Sequence, residues 1–492
     1  MLSGLVPAAN AVEPASAPGI VGKAREVRTT WTDEFGVSRP TGVTYVPQRN
    51  EFLVAEASGA STQVLRLDRD ENPQGELELP AVSDPSTLAF DAATNLLTAV
   101  SGDELVVAPG SAITTARPPV ERKDISDLGL QDATSATFDA ASGTWFVLDA
   151  GGPALVTVPE VAEDPGSGER LPAPALAGKD LQGIAFNPSD GLVYVGSADG
   201  LLIGLDGSGS VAKTYSLDGI DLRDPRAMTF APSTDSTDAT ETQSLFIADA
   251  GDQTRLGGVT EVTLAAVTAL DVPVDAGTLV QTIDTSAFSP GSPDPSGVTY
   301  VPAADRLWIC DSEVEEVTGA GYHGVNLWQI TRSGAVTDTG TTYPAVSKEP
   351  NGLGYIAASN TLLISDDSLR RIHLVRPGPD GRFGTSDDIV TFINTLAYGS
   401  DDTEDPTLDP VSGHIFFLDG VDTEVFRIDP VNGVFGDGND VTTHFDVGQY
   451  GITDTEALEY YPPHDSLIVG NRTGRSLIEV TKTGELLRTI DL

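Results

Sequence analysis

The sequence predicts an all-β chain that folds as a β-propeller. Three observations predict this class: one short phrase returns nine times, apolar strands alternate with turn residues, and no segment keeps a helical period. Repeats of roughly 40–50 residues built from short strands are typical of propeller blades. We therefore expect about nine four-stranded blades.

The repeated phrase opens each blade. The phrase consists of an acidic residue, two further residues, a small residue and the start of an apolar strand. Its clearest copy is Asp294–Tyr300 (DPSGVTY). Because the phrase precedes the first strand of every blade, its acid recurs at one fixed place in the fold. The other copies begin at Arg39, Asp84, Asp132, Asp180, Asp224, Glu349, Asp402 and Asp454.

The remaining strands of each blade follow in a fixed order. In the eighth unit, strand two is expected at 414–418 and strand three at 424–428, and a more polar fourth strand closes the unit. Alternating and β-branched runs that are cut by Gly, Pro, Asn and Asp predict strands and turns.

Two spare strands divide the chain into halves. The segments 25–31 and 278–284 precede the first and sixth blades without belonging to a complete unit. In propellers such a strand often completes the last blade and closes the ring. We therefore predict two tandem propellers at 22–275 and 276–492, with one nine-bladed ring as the alternative. The last strand, 486–492, resembles 278–284, which leads on into a further blade, so the second propeller is a candidate for a ring short of one blade in an incomplete chain.

The composition restricts the partners. Lys and Arg number 28 against 73 Asp and Glu, a formal charge of −45. Such a surface repels nucleic acid and anionic lipid and attracts divalent cations. No apolar run reaches the length of a membrane span, so no membrane insertion is expected. The single cysteine, Cys310, excludes an internal disulfide.

The first 21 residues resemble the end of a secretory signal. Ala9-Asn10-Ala11 has the small-x-small pattern of a cleavage site, and a spacer rich in Ala, Pro and Ser follows. The basic start of a signal is missing. We expect a signal remnant at 1–21 and a secreted or periplasmic protein.

Acidic residues are predicted to line the central funnel of the second propeller. The acid before strand one and the acid after strand two should share one rim of the ring. Carboxylates so placed repel each other unless cations or backbone N–H groups offset them, and hard cations take several oxygen ligands. The alternative is that each acid caps a local turn. The funnel candidates are Asp294, Asp311, Glu349, Asp366, Glu404, Asp419, Asp454 and Glu456.

Two related loops join strands three and four of the seventh and eighth units. Closely spaced Asp and Asn oxygens, with Gly at tight bends, are typical of Ca²⁺ loops, although the flanking helices and final Glu of an EF-hand are missing. An acidic hairpin without an ion is the alternative. The candidate ligands are Asp380, Asp387 and Asp388 in the first loop and Asn432, Asp437, Asn439 and Asp440 in the second.

Catalytic motifs are scarce. No nucleophile elbow, zinc motif or phosphate-binding glycine loop is present. His323 is the one histidine expected in a rim loop, where it is a candidate general base, with a solvated loop histidine as the alternative.

The repeats 294–312, 349–368 and 454–472 resemble those of the NHL-like and six-bladed TolB-like propellers. The segment Asp454–Tyr460 is also similar to esterase-like phytase and SdiA-regulated propellers, although Ala457 replaces their Gly. The resemblance implies a propeller with a central divalent cation, because lactonase and phosphoesterase relatives hold Ca²⁺ in the central channel.

These features favour an exported acidic propeller that binds Ca²⁺ and serves as a binding or scaffold module for a small molecule, protein or polymer. The alternative is a Ca²⁺-dependent hydrolase of phosphoesters or lactones, with its site in the funnel of the second propeller.

Overall fold

The computed structural model describes residues 22–58, 61–69, 71–80, 87–101, 103–159, 168–264, 272–313, 323–472 and 474–492. The expected signal remnant at 1–21 lies outside them. The described strands form nine sheets, seven with four strands and two with five. Each sheet contains an antiparallel meander of four strands, and in the two five-stranded sheets a short parallel strand is added at the outer edge. This arrangement confirms the predicted multi-blade β-propeller.

The nine blades divide into two compact units. Blades 1 to 5 form the first unit and blades 6 to 9 form the second, with which the segment Ser233–Thr240 also groups. The strand β22 (Val274–Ala276), which spans the predicted boundary at 275/276, pairs with the last strand of the second unit.

The first unit begins with β1 (Gly22–Lys23) and β2 (Arg25–Thr30), which are added to blades 4 and 5. Its blades are, in order, β3 (Gly42–Val46), β4 (Glu51–Ser58), β5 (Ser61–Asp68) and β6 (Pro73–Pro80); β7 (Thr87–Asp91), β8 (Leu96–Ser101), β9 (Glu104–Pro109) and β10 (Glu121–Asp124); β11 (Ala133–Asp139), β12 (Thr144–Asp149), β13 (Ala154–Pro159) and β14 (Glu169–Pro172); β15 (Leu181–Asn187), β16 (Leu192–Ser197), β17 (Leu201–Leu205) and β18 (Val211–Ser216); β19 (Pro225–Pro232), β20 (Gln243–Asp249) and β21 (Gly258–Thr263).

The second unit begins with β22, and its four blades follow in chain order. They are β23 (Pro295–Val301), β24 (Arg306–Asp311), β25 (Leu327–Ile330) and β26 (Val336–Gly340); β27 (Leu353–Ile356), β28 (Thr361–Asp366), β29 (Arg371–Arg376) and β30 (Ile389–Asn394); β31 (Thr403–Leu408), β32 (Ile415–Asp419), β33 (Glu424–Asp429) and β34 (Val441–Asp446); β35 (Thr455–Tyr461), β36 (Ser466–Asn471), β37 (Ser476–Thr481) and β38 (Leu486–Asp491).

Helical structure in the described residues is limited to short 3-10 turns, and none of these helices is long and apolar enough to cross a membrane. The turns are Thr32–Phe35, Gly110–Ala112, Ser126–Leu128, Pro174–Leu176, Thr285–Ala287, Thr395–Tyr398 and Gly448–Tyr450.

The first unit closes on itself. The spare N-terminal strand β2 pairs with β21 and becomes the outer strand of blade 5, and β19 packs against β3 of blade 1. A single nine-bladed ring therefore does not fit. Apolar side chains between neighbouring blades form the cores, as where Val43 and Phe52 of blade 1 meet Phe246 of blade 5.

The turn between strands one and two explains the Asn, Asp and Gly punctuation of the sequence. Asn50, Asn360 and Asp465 occupy this turn with φ of 54°, 48° and 53°. Asn, Asp and Gly tolerate this left-handed conformation better than other residues do. In several blades a strand-one tyrosine donates to the turn residue, as where the Tyr460 hydroxyl lies 2.8 Å from Asp465.

Candidate functional site

The acids at the end of strand two hold backbone groups of their own blades. In the second unit, Asp311 accepts hydrogen bonds from the Asp294 N–H at 2.9 Å and the Ser292 hydroxyl at 2.6 Å. Asp366 accepts from the Leu369 N–H at 2.7 Å and from the Ser347 hydroxyl. These buried carboxylates therefore fix the loop that leads into strand one, the capping role that was the alternative to cation binding.

The same arrangement recurs in the first unit, where Asp249 accepts from the Arg223 and Asp224 N–H groups. In blade 8, Asp419 accepts from the Asp401 N–H at 3.1 Å and the Asp422 N–H at 2.9 Å. The carboxylates of Asp401, Asp419 and Asp422 lie within 4.8 Å of one another. Because donors already satisfy both oxygens of Asp419, this group is explained by the loop it holds.

A second carboxylate group lies between blades 7 and 8. Oxygens of Asp367, Asp402 and Glu404 all lie within 4.8 Å of one another. Asp367 follows the last residue of β28, Asp402 precedes β31, and Glu404 belongs to β31. The residue before strand one of blade 8 and the residue after strand two of blade 7 thus lie together here, whereas the predicted strand-two acid, Asp366, holds its own loop. We call Asp367, Asp402 and Glu404 the acidic triad.

Glu404 has no counter-charge among the described residues. Its residue surface is only 8% exposed, and within the described residues no hydrogen-bond donor or cation contacts its carboxylate. Burial, followed by the negative charges of Asp402 and Glu456, raises the pKa of Glu404 to about 9. Burial and the neighbouring Asp419 raise the pKa of Asp402 to about 7. A buried carboxylate without a partner is costly unless it is protonated or binds a cation.

A glycine makes room beside the triad. A Cβ atom placed on Gly420 would lie 2.7 Å from Asp402 Oδ2 and 3.2 Å from Glu404 Cγ. The backbone carbonyl of Thr455 is 3.5 Å from the same point. A side chain at position 420 would therefore push the Asp402 carboxylate away from its present place beside Glu404.

The other funnel candidates lie around the triad or away from it. Glu456 is bound by Arg472 at 2.9 Å, and the same guanidinium lies 3.9 Å from Asp454. Glu349 accepts a hydrogen bond from the Ser368 hydroxyl at 2.5 Å. Asp294 acts electrostatically on Arg472. In the described residues, the triad is therefore the part of the rim where carboxylates converge and two of them, Asp402 and Glu404, accept no hydrogen bond, while Asp367 accepts one from the Ser368 N–H.

The two Asp/Gly loops are organised by their own hydrogen bonds. In the first, Asp388 Oδ2 accepts from the Gly384 N–H at 2.8 Å and Asp387 Oδ1 from the Thr385 hydroxyl at 2.7 Å. Asp380 Oδ1 accepts from the Arg382 N–H at 2.9 Å. The other oxygen of Asp388 is buried without a partner. Neither loop brings three carboxylates within 4.8 Å in the described part of the chain.

The second loop repeats this design with amides. Asp440 Oδ2 accepts from the Gly436 N–H at 2.7 Å, and its Oδ1 is also buried without a partner. Asp437 accepts from the side-chain amides of Asn432 at 2.5 Å and Asn439 at 3.3 Å. Asp388 and Asp440 therefore each retain one free, buried oxygen at the equivalent place.

His323 lies on the surface, next to residues 314–322, which are outside the described part of the chain. None of the described residues is shown in contact with its ring. By contrast, His373 is buried with both ring nitrogens unpaired, and burial lowers its pKa to about 4. A neutral core histidine is the simplest reading of that side chain.

Sequence reasoning placed Glu404 among the funnel ligands but left out two of its neighbours. Asp402 has the same place in the repeat as the predicted Asp294, Glu349 and Asp454, so the repeat itself marked it. Asp367 directly follows Asp366, and a doubled acid at this position was the available signal. The first acid caps the loop, and the second lies beside Asp402 and Glu404.

Comparisons with known proteins add no closer identity. No family model and no curated protein matches the sequence. Among solved structures, the chain is similar to an inactive virginiamycin B lyase from Staphylococcus aureus crystallised with quinupristin, at 13% identity and TM-score 0.27, covering 63% of this chain and 83% of that one. It is also similar to the Cps50 (Swd1) β-propeller domain of Myceliophteria thermophila, at 9% identity and TM-score 0.27, covering 80% of this chain and 96% of that one.

Proposed function

We propose that the second unit is a Ca²⁺-binding propeller module, with the ion at the acidic triad. The observation that carries the proposal is the buried Glu404 side chain, which lies beside two further carboxylates and has no hydrogen-bond donor in the described part of the chain. Ca²⁺ takes six to eight oxygen ligands in flexible geometry, so three side chains plus carbonyls and water suit it. The −45 charge and an expected export to a calcium-rich compartment support the same ion.

The bound ion would order the funnel for a ligand. Loops of two blades meet at the triad, so a cation there joins blade 7 to blade 8. A coordination sphere completed by water leaves positions that an oxygen-bearing small molecule, protein or polymer can take. The proposed activity is therefore Ca²⁺-dependent binding, and a secreted or periplasmic location is part of the proposal.

Calcium titration of chelator-treated protein tests this function. We expect binding heat by calorimetry and, at Ca²⁺ concentrations about 100 times Kd, a gain of roughly 2.7 kcal/mol in the free energy of unfolding of the second unit. Glu404→Gln keeps the shape of the side chain but removes its charge, so affinity should fall at least about tenfold. Gly420→Ala should weaken binding similarly by crowding Asp402.

Glu485→Gln is the matched control, because Glu485 is an exposed carboxylate of the same unit. Its binding curve should overlay that of the parent protein. Equal loss in Glu485→Gln and Glu404→Gln, or no calcium heat in the parent protein, would refute the triad site. The free buried oxygens of Asp388 and Asp440 support a further calcium position in each of the two loops. Asp388→Asn and Asp440→Asn test these positions, and each substitution should lower the number of calcium ions bound per chain by one.

A hydrolase remains the second candidate function. The observation that favours it is the pKa of Asp402, raised to about 7, which suits an acid that exchanges protons near neutral pH. Phosphoester and lactone substrates would be screened with and without chelator. Activity that persists in Asp402→Asn, or that ignores chelator, would exclude this mechanism at the triad; His323→Ala tests the loop histidine in the same assay.

A further inference from the structure

The same six-residue sequence is buried in one unit and exposed in the other. Gly42–Pro47 and Gly297–Pro302 both read GVTYVP and both begin the first blade of a unit. Val43 is 0% exposed, whereas the matching Val298 is 53% exposed. Tyr300 is likewise 43% exposed. Because the sequence is identical, the difference must come from what packs against the strand.

In the first unit the covering element is blade 5. Val43 shares a buried cluster with Ala227 of β19 and with Phe246 and Ala248 of β20. The first strand of blade 5 thus lies against the first strand of blade 1. In the second unit, strand-one contacts run from β23 through β27 and β31 to β35, and no comparable contact joins β35 back to β23 in the described residues.

The opposite flank shows the same difference. In blade 4, the β15 residues Gly183 and Ala185 are buried, and a Cβ on Gly183 would lie 3.3 Å from Ala227 of blade 5. In blade 9, the β35 residues Ala457 and Glu459 are exposed. Both faces that blade 5 covers in the first unit are therefore open in the second.

The chain path before each first blade is also repeated. β1 pairs in parallel with β18, the last strand of blade 4. In the same way, β22 pairs in parallel with β38, the last strand of blade 9. After β1 the chain forms β2, which pairs with β21. After β22 it continues as 277–284, which is in no strand and exposes Leu279 (83%) and Val280 (92%). Residues 277–284 therefore hold the place that β2 has in the first unit, but among the described residues no strand like β21 pairs with them.

We propose that the open face formed by β23, β35 and residues 277–284 is a docking surface for a partner polypeptide that supplies a three-stranded β-meander of the β19–β21 type. Its first strand would cover Val298 and Ala457, and its third strand would pair antiparallel with 277–284, as β21 pairs with β2. Main-chain hydrogen bonds of this kind give affinity, and the side-chain pockets give specificity. Because Glu459 is exposed on β35, the partner is expected to carry a basic residue opposite it.

A cleft of about 500 Å³ runs along this face. It is lined by the first strands of all four blades, among them Val298, Tyr300, Tyr355, Thr407 and Glu459. The corresponding cleft of the first unit is enclosed by five first strands, including Met228 and Phe230 of blade 5. The cleft of the second unit is therefore lined by four first strands where that of the first unit is lined by five.

The probe is residues 218–264 of this same chain, which include β19–β21, displayed on a soluble carrier protein and added to the full chain. In a second arm the same segment is fused after Leu492, because Ser216 and Asp491 hold equivalent places and the segment would enter in the native order. Hydrogen exchange of peptides covering 277–284 and 295–301 is measured in both arms.

We expect the displayed segment to bind and to slow exchange in both peptides by at least about tenfold, and Val298→Asp to abolish that protection. A carrier with a scrambled segment is the control. Absence of binding in the first arm overturns the proposal, and protection only in the fused arm overturns the partner in favour of a meander from the same chain. A concentration-dependent dimer that protects β23 by itself would also overturn it, with a second copy as the occupant.

Discussion

Replacing Asp405 by Ala is expected to destabilise the second unit by about 2–6 kcal/mol. The Asp405 carboxylate lies between three blades: Oδ1 accepts from the Leu353 N–H of blade 7 at 3.0 Å, and Oδ2 accepts from the Leu458 N–H of blade 9 at 3.1 Å. Leu353 and Leu458 are themselves buried. Truncation therefore leaves two backbone donors without a protein partner, and each costs about 1–3 kcal/mol.

Asp405→Asn provides the graded comparison. The amide retains one acceptor oxygen but turns an NH₂ group toward the second donor, so we expect a smaller loss than in Asp405→Ala. Burial raises the pKa of Asp405 well above its usual value, so loss of its charge is not the main cost. Chemical denaturation followed by hydrogen exchange of blades 7 to 9 measures the effect. Equal stability of Asp405→Ala and the parent protein would show that these cross-blade bonds are not what holds the blades together.

The stability of the second unit without calcium is expected to fall as pH rises. Asp402 and Glu404 have folded pKa values raised to about 7 and about 9, above those of an unfolded chain. From the unfolded pKa of about 4 up to each of these folded pKa values, the folded state binds more protons than the unfolded state. The stabilisation that comes from protonated Asp402 and Glu404 is therefore complete near pH 4 and is lost as pH rises through about 7 and about 9. Each pH unit over which a group keeps its proton only in the folded state is worth about 1.4 kcal/mol, so the free energy of unfolding should fall by several kcal/mol between about pH 5 and about pH 9.

Calcium should remove this dependence of stability on pH, because the ion replaces the protons on the triad. The first unit is an internal control with the opposite sign: hydrogen bonds from Asp132, Arg170 and Gln131 outweigh burial and lower the pKa of Asp149. The stabilisation that ionised Asp149 contributes is present above the pKa of the unfolded chain and is lost in acid. Unfolding would be followed for each unit by hydrogen exchange across the pH range, with and without calcium. A calcium-free second unit that gains stability from about pH 5 to about pH 9 would contradict the assignment of protonated triad carboxylates.

Local patterns predicted the blades because each blade is defined by short-range chemistry. The turn residues Asn50, Asn360 and Asp465 specify left-handed turns, and the alternating runs on either side specify strands. Nine blades, a division into two units and the role of β2 as a closing strand all follow from that repetition. The acidic phrase also placed Glu404 near a rim.

The roles of individual acids depended on neighbours that are distant in sequence. Asp311 and Glu404 belong to the same acidic pattern, yet backbone donors satisfy Asp311 and no donor of the described residues reaches Glu404. A capping acid and a ligand acid cannot be told apart by spacing, because the difference is whether an N–H group or another carboxylate faces the side chain.

The sequence by itself determined that this chain is a strongly acidic β-propeller of nine blades, since strand periodicity, turn residues and charge are properties of local stretches. Only the tertiary structure decided that Asp367, Asp402 and Glu404 converge and that Val298 is open where the identical Val43 is covered. Burial and electrostatic repulsion arise between blades, so identical residues acquire different environments once the rings assemble.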